Sequence, residues 1–187
     1  MSRIYLIRHC EATGQELDAA LTSQGQDQSY ELESLLKDKG IEWIVSSHFL
    51  RAQQSVLPLS KTLKLPITID KRLGERILSS KNMPDWFEAL RKTYEDPDLK
   101  YEGGESASEA TERALRCLNF IFAQGKKGVA LVTHGGLLSL LLNHFDDRYN
   151  FETWKALTNP DVYCLTYTGE TTPKIERLWG KRDGSIA

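Results

Sequence analysis

Short apolar runs alternate with longer amphipathic stretches along the chain, and this alternation constrains the fold more than any other feature. Six runs are predicted to be β-strands, the last of them on an edge: Ile4–Ile7, Trp43–Val45, Ile67–Ile69, Val129–Val132, Val162–Tyr167 and Ile175–Leu178. Strands that alternate with helices favour a parallel sheet covered on both faces. We therefore expect an α/β protein, a three-layer α/β/α sandwich with a mainly parallel central sheet.

The stretches between the strands carry helical patterns. Four of them are predicted as helices from their apolar spacing: Thr22–Lys39, Phe49–Leu63, Met83–Tyr94 and Gly135–Phe145. The first stops at Gly40, a good C-terminal cap, and the second contains Pro58, which predicts a kink or a late start. A Ser-x-x-Glu capping box at Ser106 opens a fifth helix that is expected to run to about Phe122.

Composition excludes several classes of protein. The chain has 187 residues, of which 40% are hydrophobic and 27% charged, which suits one domain over residues 1–187 with a substantial core. The 24 basic and 26 acidic side chains nearly cancel, so nothing in the charge argues for nucleic acid as a partner. The N-terminal apolar run is too short for a signal peptide, and no segment approaches the length of a membrane span.

The cysteines indicate a reducing compartment. Cys10, Cys117 and Cys164 are odd in number, widely spaced and without a CxxC pair. A disulfide framework or a cysteine zinc site is therefore not expected. A cytoplasmic location is the natural expectation.

Residues suited to anion chemistry follow three of the predicted strands. Arg8 and His9 follow the first strand, Arg51 comes shortly after the second, and His134 follows Val129–Val132. Ligands of parallel α/β sheets bind at the carboxyl ends of the strands, so these side chains should meet on one rim. Arginine offers a donor fork for phosphate oxygens, and a neutral imidazole nitrogen can attack phosphorus. The pattern predicts an anion site that contains a nucleophile.

These residues belong to a series of short motifs that spans roughly residues 4–140. The first reads Arg8-His9-Cys10-Glu11-Ala12, and the others follow in a fixed order: Leu21–Gly25, Ser46–Ser55, Leu73–Glu75, Glu102–Ser106 and Val132–Gly136. The series resembles that of the histidine phosphatase superfamily, also called the phosphoglycerate mutase-like fold. In that family the first motif is Arg-His-Gly-Glu-Thr, so Cys10 and Ala12 depart from it. Each motif is weak alone, but together they are specific.

The resemblance implies a role for each motif residue. His9 would be the nucleophile and become a phosphohistidine, while Arg8, Arg51 and His134 would hold the phosphoryl oxygens. Glu75 would donate a proton to the leaving group and then act as the base for water. These roles satisfy what phosphoryl transfer needs, which is charge stabilisation, an in-line nucleophile and an acid.

Two more phosphate-binding groups are implied by position. Gln15 stands where the family usually has a phosphate-contacting asparagine, so an amide donor is retained. The backbone N–H of Gly135, at a helix start, is expected to add another donor. No metal and no other cofactor is required, because the arginines supply the positive charge.

Alternatives remain open for two of these roles. His9-Cys10 is similar to the His-Cys-x5-Arg loop of cysteine-dependent phosphatases, but that loop needs an arginine at position 16, where Glu16 would repel phosphate. Cys10 is therefore expected to be a small buried residue. Glu102 and Glu105 also lie near the expected pocket, so either could replace Glu75 as the proton donor.

The function that follows is hydrolysis of a small-molecule phosphomonoester. A phosphoglycerate mutase, which returns the phosphoryl group to bound substrate, and a silent phospho-ligand binder are the alternatives. The intact motif set argues against the binder, and the short chain argues against the mutase. The natural substrate and the oligomeric state stay open.

Residues 76–104 form the longest stretch between motifs and are expected to be an insertion that covers the substrate. Within it, one helical face carries four residues that are expected to pack in the core: Met83, Phe87, Leu90 and Tyr94. Trp86 lies off the centre of that face, so it is the residue that could face the pocket instead.

Overall fold

A six-stranded sheet lies at the centre of the computed structural model, which describes residues 1–169 and 172–180. The strands are β1 (Ser2–Arg8), β2 (Trp43–Ser46), β3 (Ile67–Ile69), β4 (Gly128–Thr133), β5 (Asp161–Tyr167) and β6 (Lys174–Arg177). Their order across the sheet is β3-β2-β4-β1-β5-β6. Neighbours pair in parallel from β3 to β1, whereas β5 runs antiparallel to both β1 and β6. The prediction of a mainly parallel sheet is confirmed.

Seven α-helices accompany these strands in the described part of the chain. They are α1 (Ser23–Leu36), α2 (Leu50–Ser55), α3 (Leu57–Leu63), α4 (Trp86–Glu95), α5 (Ala107–Ala123), α6 (Gly135–Phe145) and α7 (Phe151–Lys155), with a 3₁₀ turn at Lys71–Leu73. None of the helices within residues 1–169 and 172–180 is long and apolar enough to cross a membrane.

The alternation of side chains along β1 explains why the fold has three layers. Ile4 and Leu6 face a core built with α5 and α6, while Tyr5 and Ile7 face a second core built with α1, α2 and α3. All four side chains are almost completely buried, so the sheet is covered on both faces. The α/β/α sandwich predicted from the sequence is confirmed.

The predicted strands agree with the observed ones to within two residues at each end. Helix ends differ more. The first helix stops at Leu36, before Gly40, because a separate turn intervenes in which Lys39 N donates to Leu36 O. The stretch predicted as one helix over Phe49–Leu63 is two, broken at Val56, and Pro58 lies in the first turn of α3, where its missing N–H costs nothing.

The prediction for residues 83–94 was wrong in two respects. The helix begins at Trp86, and Met83 precedes it. The residues that α4 buries are the small Ala89 and Thr93, whereas the Phe87 side chain is 44% exposed. Of the four large residues expected in the core, Tyr94 does pack against it, while Met83 and Leu90 line a cavity described below, which Tyr94 also borders.

Helix α5 carries the capping box expected from its sequence. Ser106 Oγ accepts from Glu109 N at 3.0 Å, and the Glu109 carboxylate accepts from Ser106 N at 2.9 Å. These two bonds satisfy donors that the first turn of a helix leaves open. They fix the start of the helix at Ala107.

Ser106→Ala should lower the free energy of unfolding by about 1 kcal/mol, because an N-cap hydroxyl is lost. Chemical denaturation followed by circular dichroism measures this. Ser108→Ala is the matched control, since Ser108 is exposed on the same helix and should change stability by less than about 0.5 kcal/mol. Equal losses in both variants, or none in Ser106→Ala, would remove the cap from the account of this helix.

Candidate active site

Three adjacent strands bring the predicted site residues together. The carboxyl ends of β2, β4 and β1 lie side by side, with His9 N bonded to Thr133 O at 3.1 Å. The rings of His9 and His134 consequently meet edge to face, 5.1 Å apart. Arg8 enters from the end of β1, and Arg51 enters from the first turn of α2.

The hydrogen bonds of His9 fix which ring nitrogen carries the proton. Arg51 Nε donates to His9 Nε2 at 3.1 Å, and a guanidinium can only donate. Nε2 is therefore the lone-pair nitrogen, and Nδ1–H donates to the Cys10 carbonyl at 2.7 Å. Burial lowers the pKa of His9 to about 4, and the positive charges of Arg51 and Arg8 add to this against the opposing Cys10 bond. His9 is a neutral base whose unprotonated nitrogen is Nε2, on the side of Arg51.

Arg51 makes more hydrogen bonds in the site than the other described residues. Its side chain is only 1% exposed, and its Nη1 donates to the carbonyls of Gln15 and Glu16 at 3.0 and 2.8 Å. Its Nη2 reaches His134 Nδ1 at 3.3 Å, so one guanidinium bonds both histidines. The Phe49 ring packs against it at 4.6 Å from the guanidinium carbon.

His134 is held from the opposite side. Because Arg51 donates to its Nδ1, the proton is on Nε2, which donates to Ser47 Oγ at 2.7 Å. Its ring is fully buried against Phe49, at 4.7 Å. Burial holds the pKa of His134 well below its usual range, with His9 and Arg51 lowering it further.

Arg8 is held through one guanidinium nitrogen, and in the described chain another has no hydrogen-bond partner. Its Nη1 donates to the carbonyls of Leu157 and Thr158 at 3.1 and 3.2 Å. Its Nε is buried with no hydrogen-bond partner among the described residues. Gly135 allows this approach, because a Cβ there would lie 3.0 Å from Arg8 Nε.

Neither Arg8 nor Arg51 forms an ion pair with a carboxylate within residues 1–169 and 172–180. Burying a cation without a direct ion pair is costly, and here the carboxylates of Glu75, Asp161 and Glu16 act on the two arginines only from a distance, so the pair suits an anion. Two neutral histidines between them add no negative charge. The site is complementary to a phosphoryl group.

Glu75 caps the start of α6. Its carboxylate accepts from the backbone N–H groups of Gly136, Leu137 and Arg76 at 3.1, 3.2 and 2.9 Å. The carboxylate therefore lies on the positive end of the helix dipole, next to the rim that carries His9 and His134. A side chain at Gly136 would collide with it, since a Cβ there would be 2.7 Å from Glu75 Oε1.

The other two candidate acids are committed elsewhere. Glu105 binds Arg113 through both oxygens, at 2.7 and 2.9 Å, and Glu102 pairs with Lys81 at 3.3 Å. Among the described residues, no three His, Cys, Asp or Glu side chains come together as metal ligands would.

A cavity of about 440 Å³ opens beside Glu75. It is lined by Gln15, Glu75, Arg76, Leu78, Ser79, Lys81, Asn82, Met83, Trp86, Leu90, Tyr94, Gly136, Leu140 and Trp154. Most of these belong to residues 76–104, the stretch expected to cover the substrate. Trp86 lines the cavity, as the sequence left open, and so do three of the residues expected in the core. Gln15 also lines it, while neither Glu102 nor Glu105 does.

Cys10 is enclosed and faces away from phosphate chemistry. Its side chain is fully buried in the core formed with α1, α2 and α3, and its N–H donates to Ser55 Oγ at 2.8 Å. Burial raises the pKa of the thiol to about 12. A thiol in this state is a poor nucleophile, which agrees with the expectation of a small buried residue.

Three supporting residues were not predicted from the sequence. Ser47 and Phe49 hold His134, and Asn159 Nδ2 donates to the His9 carbonyl at 2.9 Å. Ser47 carried a signal, because it lies in the motif Ser46–Ser55 that follows the second predicted strand. Asn159 carried none, since it comes from the far end of the chain and reaches His9 only through the pairing of β5 with β1.

Comparisons with known proteins agree with this geometry. A sequence profile of the histidine phosphatase superfamily (branch 1) matches residues 4–179. GpmB of Proteus mirabilis, a probable phosphoglycerate mutase, is 30% identical over 162 residues, which cover 76% of this chain and 74% of that protein. The broad-specificity phosphatase YOR283W of Saccharomyces cerevisiae is 26% identical over 196 residues, which cover 95% of this chain and 85% of that protein.

The fold is also similar to solved structures. A mycobacterial glucosyl-3-phosphoglycerate phosphatase in complex with inorganic phosphate matches with a TM-score of 0.74 at 23% identity, over 95% of each chain. At this identity the likeness concerns the fold. The profile match, by contrast, spans all of the motifs that meet at the rim of the sheet. The chain belongs to the histidine phosphatase superfamily.

Proposed function

We propose that the protein is a phosphatase that hydrolyses a phosphomonoester through a phosphohistidine on His9. The observation that carries this proposal is the pair of guanidinium groups, Arg8 and Arg51, that flank a neutral imidazole and have no described carboxylate partner. A dianionic phosphoryl group would supply the missing negative charge. Its phosphorus would then lie next to His9 Nε2, the unprotonated ring nitrogen, whose electron pair accepts from Arg51 Nε in the absence of phosphate.

In the first step His9 Nε2 attacks phosphorus, so that an N–P bond forms as the ester O–P bond breaks. For this Arg51 Nε turns from His9 Nε2 to a phosphoryl oxygen, which frees the lone pair. Arg8 and His134 bind the other oxygens. His134 does so through Nε2–H, which leaves Ser47 Oγ and donates to a phosphoryl oxygen instead. Donors placed in advance at a developing charge account for much of the acceleration in such reactions.

Two weaker donors complete the phosphoryl site. The N–H of Gly135 is not taken by Glu75, which bonds the next two N–H groups of α6. Gln15 lines the cavity, and its side-chain amide would turn toward the phosphoryl group. Both would add neutral hydrogen bonds beside the arginines.

Glu75 handles the proton in both steps. For the first step Glu75 carries a proton, which it gives to the alkoxide oxygen as that oxygen leaves. The resulting carboxylate then takes a proton from the water that attacks the phosphohistidine, which restores the acid form. The N–P bond breaks, inorganic phosphate departs, and His9 returns with the proton still on Nδ1. The carboxylate is suited to this because it lines the cavity and is paired with no cation in the described chain.

Hydrolysis is favoured over the mutase alternative by the charges around the cavity. A mutase must hold a second anionic group, yet Arg76 donates to Glu105 O and Thr93 Oγ1, and Lys81 pairs with Glu102. The probable mutase among the relatives shares the family, and the yeast relative is a phosphatase. The complete constellation around His9 argues against a silent binder.

The substrate is proposed to be a small molecule handled in the cytoplasm. The net charge of −2 offers no attraction for nucleic acid. Residues 76–104 are proposed as the segment that covers this substrate, because they supply most of the cavity wall.

Brief reaction with a ³²P-labelled phosphomonoester should label the protein on His9. The label should be lost in acid and survive base, as expected for a phosphoramidate. His9→Ala should abolish labelling and phosphate release, while Cys10→Ser should retain both. Acid-stable label, or label that survives in His9→Ala and disappears in Cys10→Ser, would overturn the proposed nucleophile.

Glu75→Gln should slow alkyl phosphates far more than p-nitrophenyl phosphate, whose leaving group needs little protonation. A general acid contributes about 100-fold or more, so kcat/KM for an alkyl phosphate should fall by that factor and p-nitrophenyl phosphate by less than about tenfold. Glu102→Gln, a change at an exposed ion pair, is the matched control and should affect both substrates little. Equal losses on both substrates in Glu75→Gln would remove Glu75 from the acid role.

A further inference from the structure

The cavity beside Glu75 is placed to receive the leaving group. It shares Glu75 and Gly136 with the phosphoryl-transfer rim, so a molecule that fills it lies next to the proposed proton donor. The part of a phosphomonoester bonded to the leaving oxygen is the alcohol. The chemistry of this wall therefore selects among alcohols.

Much of that wall is aromatic. The Trp86 side chain is 50% exposed and meets Trp154 edge to face, with ring centres 6.3 Å apart at 79°. Behind them Trp154 stacks on Phe151 at 5.4 Å, and Phe87 contacts Phe151 at 5.2 Å. We call Trp86, Trp154, Phe87 and Phe151 the aromatic wall; Trp86 and Trp154 line the cavity, and the two phenylalanines support them. It joins α4 to α7 and presents large apolar surface to solvent, which commonly marks a ligand site.

The cavity offers little to a second anion. Its cations in the described chain are Arg76 and Lys81, and both are bonded to other protein groups. The remaining nitrogen of Arg76, Nη2, is sealed beneath the surface. The polar groups left for a ligand are neutral, namely the side-chain amides of Gln15 and Asn82, for which the described structure shows no hydrogen bond.

We propose that the protein acts on phosphate esters of uncharged, ring-bearing alcohols, with the ring packed on the exposed face of Trp86. Aromatic and apolar rings gain from an offset or edge contact with a tryptophan, beyond the area that they bury. Neutral amides at Gln15 and Asn82 suit a polar substituent on the ring. This inference rests on the proposed phosphatase function and names its substrate class.

The test compares three esters by release of inorganic phosphate: 2-phenylethyl phosphate, ethyl phosphate and 3-phosphoglycerate. The first two have primary alkoxide leaving groups of similar basicity, so their difference reports contact with the alcohol. We expect kcat/KM for 2-phenylethyl phosphate to exceed that for ethyl phosphate by about tenfold or more, the scale on which apolar pockets discriminate. The anionic 3-phosphoglycerate should be no better than ethyl phosphate, and no 2-phosphoglycerate should form.

A substitution at Trp86 tests whether the preference for the ring-bearing ester comes from the aromatic wall. Trp86→Ala should lower the ratio of the two kcat/KM values, phenylethyl over ethyl, by about tenfold, and Trp86→Phe should restore most of it. Phe120→Ala is the matched control, because Phe120 is an aromatic side chain of similar exposure, 48%, that packs on Trp43 and should leave the ratio unchanged. The comparison of esters with the unchanged protein needs no variant to fold.

The outcomes separate this inference from the function on which it rests. Phosphate release with no preference for the ring, or with 3-phosphoglycerate fastest, overturns the substrate class and leaves the phosphatase intact. A preference that survives Trp86→Ala overturns the assignment to the aromatic wall. Absence of phosphate release from every ester, with no labelled histidine, overturns the phosphatase itself.

Discussion

A buried guanidinium holds the catalytic centre together. Arg51 bonds both histidines and two loop carbonyls, and its own charge has no carboxylate partner in the described chain. Those bonds settle the tautomer of each imidazole, because arginine can only donate. They also leave the centre short of negative charge. A phosphoryl group would supply the negative charge. Its oxygens would also accept from Arg51, which frees His9 Nε2 to attack phosphorus.

The sheet explains how residues so far apart in the chain meet. β1, β4 and β2 are adjacent and parallel, so the polar residues that follow them share one rim. Helix α6 then starts on this rim, and its first N–H groups bind Glu75. The proposed nucleophile, the proposed oxygen-binding groups and the proposed acid are thus positioned by backbone elements, which keeps them rigid.

The strands, the layers and the motif residues could be predicted from the sequence because each is encoded by residues that are neighbours in the chain. A short apolar run predicted β1 to within two residues, and the motif around Arg8 and His9 stood at its end. What could not be predicted depends on contacts between distant segments. Asn159 supports His9 through strand pairing, and the large residues near α4 line a cavity because small residues, Ala89 and Thr93, form the buried face. A helical stripe does not show whether its large residues face a core or a cavity.

The central claim is that His9 is a neutral base with its proton on Nδ1. Nuclear magnetic resonance of the ¹⁵N-labelled histidine side chains tests this directly. In the phosphate-free protein, with signals assigned through loss of His9 in His9→Asn, we predict the Nδ1–H tautomer at neutral pH and a titration midpoint at about 4. Only below that pH would His9 be protonated and unable to attack. A midpoint at or above the ordinary value of about 6.5, or an Nε2–H tautomer, would contradict the account.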